Sequence, residues 1–584
     1  ASLDAVTSGT DNTAVGDNAA GATTTASNNT AIGSGALLVN TTGAGNTAVG
    51  TIALTANTTA DNNTAVGYYA MSVNTTGTQN VGVGYAALYA NTTGSSNTGL
   101  GYNALGSNTT ASYNTSVGWN SLLVNTTGAN NVAMGYRALV SNTTASNNIA
   151  IGYEALLANT TGAGNTAIGK DALIANTTAA NNVAVGIDAL TANTTGTNNV
   201  AVGATALDAI TTGSNSTAVG YQALSADTAG LNVGIGYTAG AAISTGTRNV
   251  AVGGAALDAA STGDDNTAIG ANAMGATTTA SDNTAVGSYA MQTNTTGASN
   301  VAVGMTALTG NTTADNNTAL GYAAMYTNST GAGNTAVGKD ALLANTTGSE
   351  NTAFGHDALD ANTTAGDNTA IGASAMSANT TGTSNVAVGA TALYANTTAS
   401  NNTAVGRNAM VANTTGASNV AVGHAALDAN TTADHNTAIG KDALTANTTG
   451  QQNTSLGSNS MSVNTTGSDN VAIGYAALDA NTTADNNVAV GKSAASANTT
   501  GESNTAIGTS ALAVNTTGSS NTAVGHAALD AMTGGSGLNT AVGKDALTAL
   551  TTANSVTAVG TGSGKSLTTG GDSTIVGKDA LDAC

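Results

Sequence analysis

Residues that could carry out acid–base, nucleophilic or metal chemistry are few and scattered in this chain of 584 residues. It has four histidines, 31 acidic side chains and one cysteine, Cys584, which has no second cysteine for an intrachain disulfide. The histidines do not share the spacing of metal ligands, and the aspartates stand apart, whereas calcium needs several oxygens converging on one point. We therefore expect a non-enzymatic protein with no catalytic site, no metal site and no cofactor.

A recurring Asn-Thr-Thr or Asn-Ser-Thr sequence is the first pattern with a chemical meaning. It matches the acceptor sequence for N-glycosylation and returns at a constant interval over long stretches. The candidate acceptors are Asn40, Asn57, Asn74, Asn91, Asn108, Asn125, Asn294, Asn311 and Asn345. The alternative is structural, because asparagine side chains on stacked strands can hydrogen-bond to one another. Both interpretations stay open at the level of the sequence.

Aromatic residues recur with the same period at a second place. Six consecutive copies carry Tyr68, Tyr85, Tyr102, Trp119, Tyr136 and Tyr153, which we name the aromatic stripe. Aromatic rings can stack on sugars or on nucleobases, but nucleobase binding normally comes with a positively charged groove. The stripe is therefore a candidate glycan surface. The alternative is an exposed ladder in which the rings stack on each other.

One tandem repeat contains both patterns and must supply the elements that position them. The pentapeptide Asn12–Gly16 returns in 34 copies, as far as Ser573–Gly577, and each copy ordinarily begins seventeen positions after the one before. Two intervals differ from seventeen. The interval from Ser216 to Asn232 is one residue shorter, and the interval from Asn521 to Asn539 is one residue longer. When the leading residue is numbered position 0, the aromatic stripe occupies position 5 and the candidate glycosylation sites occupy position 11.

The repeat predicts an all-β fold, a parallel β-solenoid of about 34 turns with about 17 residues in each. Thr and Val favour strands over helices, and glycine closes position 4 of every copy, where a side chain would obstruct a turn. Proline is missing from the whole chain, as expected where every strand amide serves a ladder. Equivalent residues should stack about 4.8 Å apart. We expect residues 1–584 to form a single continuous solenoid domain.

Strand alternation predicts which side chains face inward. Positions 1, 3 and 8 carry Thr, Val, Ile, Leu and Met, and we expect them to fill the interior. Position 2 is almost always Ala, Gly or Ser, and we expect it to point outward and pack closely against sister chains. Members of this predicted self-association face are Ala48, Ala65, Ala133, Ala150 and Ala167. The alternative is that position 2 lies in the interior of a thin solenoid, with the parity reversed.

Charge and hydropathy exclude two classes of partner. The net charge of −21 comes without a basic patch, which argues against nucleic acid. A membrane-spanning helix needs an apolar run of about 18 residues or more. The chain contains no run of that length, so we expect no such helix.

The pattern Asn-Thr-Ala-Val/Ile-Gly-x-x-Ala-Leu, as in Asn165 to Leu173, resembles the head repeats of trimeric autotransporter adhesins. The longer form with Asn-Thr-Thr-Gly, as in Asn63 to Gly77, resembles the repeats of bacterial and phage tail-fibre-domain proteins. The resemblance implies an extracellular protein of a cell or virion surface, assembled as a homotrimer or a filament.

We therefore expect a structural subunit of an extracellular fibre that associates with itself laterally, and also head to tail. A second hypothesis is an adhesin or phage receptor-binding shaft that recognises glycans. A third is ice binding, because regular threonine arrays on a solenoid can order water.

Overall fold

The computed structural model describes residues 2–535 and 537–582, so the prediction for Cys584 lies outside the described residues. The chain forms two compact units, Ala1–Tyr289 and Ala290–Cys584. In the described ranges both units consist of short parallel strands and turns without a helix, which confirms the predicted parallel β-solenoid. Consistent with the absence of helices, the described residues offer no segment that could cross a bilayer as a long apolar helix.

The strands of the first unit are three residues long and follow one another at the repeat interval. They are β1 (Thr13–Val15), β2 (Thr30–Ile32), β3 (Thr47–Val49), β4 (Thr64–Val66), β5 (Val81–Val83), β6 (Thr98–Leu100), β7 (Thr115–Val117), β8 (Val132–Met134), β9 (Ile149–Ile151), β10 (Thr166–Ile168), β11 (Val183–Val185), β12 (Val200–Val202), β13 (Thr217–Val219), β14 (Val233–Ile235), β15 (Val250–Val252), β16 (Thr267–Ile269) and β17 (Thr284–Val286).

The strands of the second unit have the same length and spacing. They are β18 (Val301–Val303), β19 (Thr318–Leu320), β20 (Thr335–Val337), β21 (Thr352–Phe354), β22 (Thr369–Ile371), β23 (Val386–Val388), β24 (Thr403–Val405), β25 (Val420–Val422), β26 (Thr437–Ile439), β27 (Thr454–Leu456), β28 (Val471–Ile473), β29 (Val488–Val490), β30 (Thr505–Ile507), β31 (Thr522–Val524), β32 (Thr540–Val542), β33 (Thr557–Val559) and β34 (Thr574–Val576).

Successive strands within each unit pair in parallel and in register, one repeat apart. In the first unit Ala48 of β3 lies opposite Ala65 of β4. The shorter interval between β13 and β14 still places Ala218 opposite Gly234. In the second unit the longer interval between β31 and β32 likewise keeps the alanines of the two strands opposite each other. The loops therefore absorb the missing or added residue, and the strands keep their alignment.

The apolar core of a turn is thin and comes from positions 2, 7 and 8. In a representative turn Ala48, Ala53 and Leu54 are fully buried, which confirms the prediction for position 8. The prediction for positions 1 and 3 is wrong, because Thr47 and Val49 are only half-buried and lie on the opposite side of the strand from Ala48. The parity of the strand is therefore the reverse of the expected one.

Close packing inside the solenoid explains why position 2 is restricted to small residues. A Cβ on Gly82 would lie 3.0 Å from Cγ of Met71 at position 8 of the preceding turn, and 3.3 Å from the Ala87 carbonyl oxygen. Even a methyl group on Gly82 would require the flexible Met71 side chain to shift by a few tenths of an ångström, and a larger side chain would not fit. The small side chain is thus required by the chain's own core, and no second molecule is needed to explain it.

Glycine at position 4 is required for two independent reasons. Gly67 has a φ of 134°, a conformation that L side chains rarely adopt. A Cβ at Gly67 would also lie 2.4 Å from the carbonyl oxygen of Gly84, one turn further on. The prediction that this glycine makes a turn which a side chain would obstruct is confirmed.

Three further residues in a typical turn adopt left-handed backbone conformations without being glycine. In one turn these are Ile52, Leu54 and Asn62 at positions 6, 8 and 16, with φ values of 58°, 51° and 61°. Asn is favoured in this conformation, whereas a β-branched residue such as Ile is disfavoured. The left-handed residues Ile52 and Leu54 lie on either side of Ala53 and turn the chain sharply. The consecutive side chains of Ala53 and Leu54 are both buried as a result.

Two columns of asparagine provide the polar part of the core. At position 0, the Asn46 backbone N–H donates to Oδ1 of Asn29 at 2.9 Å, and Nδ2 of Asn46 donates to the Ala60 carbonyl at 2.9 Å. At position 11, Nδ2 of Asn57 donates to Oδ1 of Asn40 at 2.8 Å and to the same Ala60 carbonyl at 3.0 Å. The predicted asparagine ladder is confirmed, and both of its columns lie inside the solenoid.

Candidate functional site

The candidate glycosylation asparagines are buried, and their side-chain nitrogens are already hydrogen-bonded. Asn40, Asn57, Asn74, Asn91, Asn108, Asn125, Asn294, Asn311 and Asn345 all have side chains closed to solvent. Nδ2 of Asn91, for example, donates to Oδ1 of Asn74 at 2.8 Å and to the Gly94 carbonyl at 2.9 Å. A glycan on Nδ2 would replace these bonds and would need space that the core does not have. The glycosylation hypothesis is therefore incompatible with this fold, and the ladder accounts for the motif.

The predicted self-association face is also buried. Ala48, Ala65, Ala133, Ala150 and Ala167 have no exposed surface. Because position 2 points into the chain's own core, these residues cannot contact a sister chain. The prediction is wrong, and the alternative parity that the sequence left open is the correct one.

The surface that the strands do present carries positions 1 and 3, which we name the outer strand face. Position 1 is Thr, Val or Ile, and position 3 is an apolar residue in every strand. Many of these side chains are substantially exposed, including Met134 at 41%, Ile168 at 37% and Phe354 at 56%. The outer strand face therefore combines an apolar column at position 3 with a column of mostly threonine at position 1, and it is uncharged although the chain as a whole is acidic. The sequence could have revealed this face through the small residues at position 2. If position 2 is interpreted as a core position, strand alternation places positions 1 and 3 on the outside.

The aromatic stripe forms a stack of nearly parallel rings on the surface of the first unit. Ring centroids of successive members are 5.7, 4.9, 6.0, 5.0 and 5.1 Å apart, with interplanar angles of 6° to 25°. The structure thus brings together all six predicted residues, Tyr68, Tyr85, Tyr102, Trp119, Tyr136 and Tyr153. Because each inner ring lies between two others, the stripe presents ring edges and hydroxyl groups, while the inner faces are covered.

Aspartates at position 9 are the titratable groups that the fold perturbs most consistently. Partial burial raises the pKa of the carboxyl groups of Asp208, Asp258, Asp360, Asp428, Asp479 and Asp530. They belong to different turns that are at least two repeats apart, so their oxygens do not converge on a common point. These residues therefore do not form a polynuclear metal site or an acid–base pair with one another.

One cluster of metal-type ligands exists among the described residues, on the second unit. Donor atoms of Asp340, His356 and Asp357 lie within 4.8 Å of one another. Nδ1 of His356 is 2.9 Å from Oδ2 of Asp357, and Nζ of Lys339 is 2.5 Å from Oδ2 of Asp340. The carboxylates therefore already have polar partners, and the imidazole and the lysine are exposed. Three ligands with these partners do not make the oxygen-rich site that calcium requires.

Comparison of the chain with known protein families and with curated proteins identifies no relative. The chain matches no protein-family model, and no curated protein shows significant similarity to it. The resemblance to adhesin heads and tail-fibre repeats thus rests on the repeat motif, and the parallel solenoid of 17-residue turns rests on the structure.

Proposed function

We propose that this chain is a structural subunit of an extracellular fibre and that it associates laterally with copies of itself through the outer strand face. The observation that carries this proposal is the exposure of apolar side chains at position 3 in strand after strand. Exposed apolar patches of this extent on soluble proteins usually mark interaction surfaces. The catalytic alternative has no comparable support, because the one cluster of metal-type ligands in the described ranges is small and already paired.

The size of the outer strand face is adequate for a stable interface. A whole Val or Ile side chain has about 60 to 120 Å² of apolar surface, and the position-3 side chains are about two-fifths exposed. Over the 17 strands of one unit, position 3 alone therefore offers on the order of 600 Å² of exposed apolar surface. A standard protein interface uses about 800 Å² from each partner. The threonine and valine side chains at position 1 add to the area at position 3. The outer strand face is therefore comparable in size to one side of a standard protein interface.

A second copy of the chain is the occupant that best fits this surface. Its position-3 side chains recur at the spacing of adjacent strands, about 4.8 Å, and the outer strand face of a second copy repeats at the same interval. No charged residue occurs at positions 1 or 3 of the described strands, so two copies can approach without like-charge repulsion across the contact. The resemblance to oligomeric surface fibres supports an extracellular location.

The ice-binding hypothesis concerns the same surface, with ordered water in place of a second copy. The neighbouring Thr-Thr pairs are less suitable, because the position-12 hydroxyl of Thr58 donates to the Thr75 carbonyl at 3.2 Å. The outward Thr-x-Val arrangement of the strands is the one feature that favours this hypothesis. Thermal hysteresis of a monomeric preparation tests it.

The lateral-association proposal can be tested by placing charges on the outer strand face. The test variant replaces Met134, Ile151 and Ile168 by Lys, all at position 3 of consecutive turns. We expect the unmodified chain to sediment as an assembly and to form fibres in electron micrographs. The variant should sediment as a smaller species, because burying three lysines is unfavourable.

The matched control carries the same three charges with the same spacing on a different surface. It replaces Thr127, Thr144 and Thr161 by Lys, all exposed at position 13. The control should assemble like the unmodified chain, and circular dichroism should show strand content unchanged in both variants. A monomeric unmodified chain, or equal loss of assembly in the two variants, would refute the proposal.

A further inference from the structure

Two surface grooves occur at the same place in the repeat, one in each compact unit. Groove A, of about 460 Å³, is lined by Tyr69, Tyr85, Ala86, Tyr89, Tyr102 and Asn103. Groove B, of about 310 Å³, is lined by Thr306, Tyr322, Ala323, Tyr326, Asp340 and Leu343. Each groove is centred on one turn with Tyr at position 5, Ala at position 6 and Tyr at position 9.

A five-residue segment produces both grooves. Residues 85–89 read Tyr-Ala-Ala-Leu-Tyr and residues 322–326 read Tyr-Ala-Ala-Met-Tyr, and this combination occurs nowhere else in the chain. Ala86 and Ala323 are nearly buried and form the floor, while the tyrosines on both sides are nearly half-exposed. Many other turns have a larger side chain at position 6, such as Arg137, and the turn with Tyr475 and Ala476 has Asp479 in place of a tyrosine at position 9. The groove therefore depends on a small residue between two tyrosines.

The two grooves differ in the ring surface that they offer. In groove A, Tyr85 is stacked between Tyr68 and Tyr102, at 5.7 and 4.9 Å, so it presents its edge. Tyr89 meets Tyr69 edge to face at 6.0 Å, which leaves part of its ring open. In groove B, neither Tyr322 nor Tyr326 contacts another ring among the described residues. Groove B therefore offers two half-exposed tyrosine rings that no other aromatic ring covers among the described residues, whereas the tyrosines of groove A all contact another ring.

The lining selects the class of ligand. Aromatic faces pack against apolar C–H surfaces, and a few polar groups fix orientation. The polar groups are the Asn103 amide in groove A, and the Thr306 hydroxyl and Asp340 carboxylate in groove B. These groups can bind hydroxyls. An anionic ligand is disfavoured, because neither lining includes a cationic side chain and the chain has a net charge of −21.

A quaternary ammonium ion is the main competing ligand, because aromatic cages bind such cations through ring faces. In groove A the rings of Tyr85 and Tyr102 cover each other, and their edges carry partial positive charge. Such edges repel a cation but can contact the oxygens of a polyhydroxylated ligand. The ring arrangement of groove A therefore favours a sugar over an ammonium group. In groove B the Asp340 carboxylate is already paired with the Lys339 ammonium group at 2.5 Å, so it leaves no unpaired negative charge to attract a second cation.

We infer that groove A and groove B are binding sites for a neutral glycan, each accommodating one pyranose ring. The sites lie at positions 5 to 9 of the repeat, separate from positions 1 and 3 of the outer strand face. Glycan binding and lateral association are therefore independent, and one can fail experimentally while the other holds.

The experiment uses the full chain and a panel of neutral oligosaccharides immobilised on an array, followed by calorimetric titration with the strongest binder. We expect about two sites per chain, with groove B the tighter. Tyr326→Ala should abolish the tighter site and Tyr89→Ala the weaker one, each changing the stoichiometry from two to one. The double variant should show no binding.

Two additional variants separate a binding role from a structural one. Ala323→Gln fills groove B while keeping both tyrosines, and Gln222 already occupies position 6 elsewhere with a φ of 54°. It should remove the tighter site. Tyr394→Ala removes an exposed position-9 tyrosine whose turn has Ala390 at position 5, and it should leave binding unchanged.

Three outcomes would overturn the inference. The first is no binding of any neutral oligosaccharide at concentrations on the order of 1 mM. The second is undiminished binding in the variant that combines Tyr89→Ala with Tyr326→Ala. The third is saturable binding of tetramethylammonium, lost in that same variant, without binding of the sugars.

Discussion

The position-11 column of the first unit has two contrasting regions. From Asn40 to Asn193 every turn contributes an asparagine, and each side chain is buried. In the following turns the same place is taken by Ile210, Asp227, Ile243 and Ala260. The strands on either side keep the same register in both regions. The core thus accepts either a continuous asparagine column or a column that is apolar except at Asp227.

Polar groups without partners occur where the column begins and ends. At the far end, Oδ1 of Asn193 is buried and has no hydrogen-bond partner among the described residues, because Ile210 follows it. At the near end, Thr23 occupies position 11 and its buried hydroxyl likewise has no partner in the described part of the chain. The asparagine column of the first unit is therefore self-sufficient only within its length, and each of its two ends leaves a polar group unsatisfied.

Asp227 shows a third solution, in the turn with the shorter interval. Its Oδ1 accepts from the backbone N–H groups of Ala229 and Gly230 at 3.0 and 3.1 Å. Its Oδ2 accepts from Oγ of Ser216 at 3.0 Å, where Ser216 replaces the usual position-0 asparagine. The two asparagines of an ordinary turn are thus replaced together by a local Ser–Asp pair.

Interrupting the continuous column should have the largest effect on stability. Asn91→Ala removes three side-chain hydrogen bonds, to Asn74, Gly94 and Asn108, and leaves Oδ1 of Asn74 without its donor. We expect the free energy of unfolding to fall by about 3 kcal/mol, measured by urea denaturation of the full chain. Thr93→Ala, at an exposed neighbouring site, is the control. A loss below about 1 kcal/mol, the net value of a single hydrogen bond, would contradict the role assigned to the column.

Asp227→Asn should change how stability depends on pH. Burial raises the pKa of the Asp227 carboxyl above its unfolded value. Its contribution to stability is therefore full below the ordinary Asp pKa of about 3.9 and is lost as the pH rises through the folded value. We expect the thermal midpoint of the variant, relative to the parent, to increase as the pH is raised from below that ordinary value to neutrality.

An aspartate with the opposite perturbation is the control for this experiment. The Arg248 guanidinium lowers the pKa of the exposed Asp265 carboxyl. Asp265→Asn should therefore lose stability relative to the parent as the pH rises. If both variants followed the same trend, the assignment to burial of Asp227 would be wrong.

Extending the column by one turn should give a smaller, favourable effect. Thr23→Asn supplies an acceptor for Nδ2 of Asn40, whose bond is to the Gly43 carbonyl, and removes the unpartnered hydroxyl. We expect a gain of about 1 kcal/mol in the free energy of unfolding, measured by denaturation. Thr25→Asn, at an exposed position 13, should have no effect. Destabilisation by Thr23→Asn would show that the first turn cannot hold the ladder geometry.

Placing an asparagine beyond the other end should have the smallest effect. Ile210→Asn would offer Nδ2 to Oδ1 of Asn193 and to the Gly213 carbonyl, as in the preceding turns. Two new hydrogen bonds of about 0.5 to 1.5 kcal/mol each are offset by the lost burial of an isoleucine, about 1.5 to 3 kcal/mol. The terms nearly cancel, so we expect denaturation to show a change within about 1 kcal/mol. A loss above about 2 kcal/mol, close to the whole burial term, would mean that the apolar region excludes the ladder.

Periodicity alone was enough to predict the solenoid. Invariant glycines such as Gly67 and Gly84, the lack of proline and the constant interval between copies can be satisfied together only when equivalent residues stack. The asparagine ladder and the stacked aromatic stripe follow from that stacking, because neighbouring turns place identical side chains about one strand spacing apart. These features depend on the period and need no knowledge of the path of the chain within a turn.

The inside and outside of each strand were decided only by the tertiary structure. Alternation gives a strand two faces, and the sequence offered Ala on one and Val on the other. The left-handed corners at positions 6 and 8 bring Leu54 onto the alanine side, and such corners have no clear signature when Ile52 and Leu54 occupy them. The same corners place Tyr85 and Tyr89 on either side of Ala86 and so create the grooves. The sequence therefore determined the stacking of turns, because stacking follows from period, while the direction of each side chain followed from backbone angles that the period does not specify.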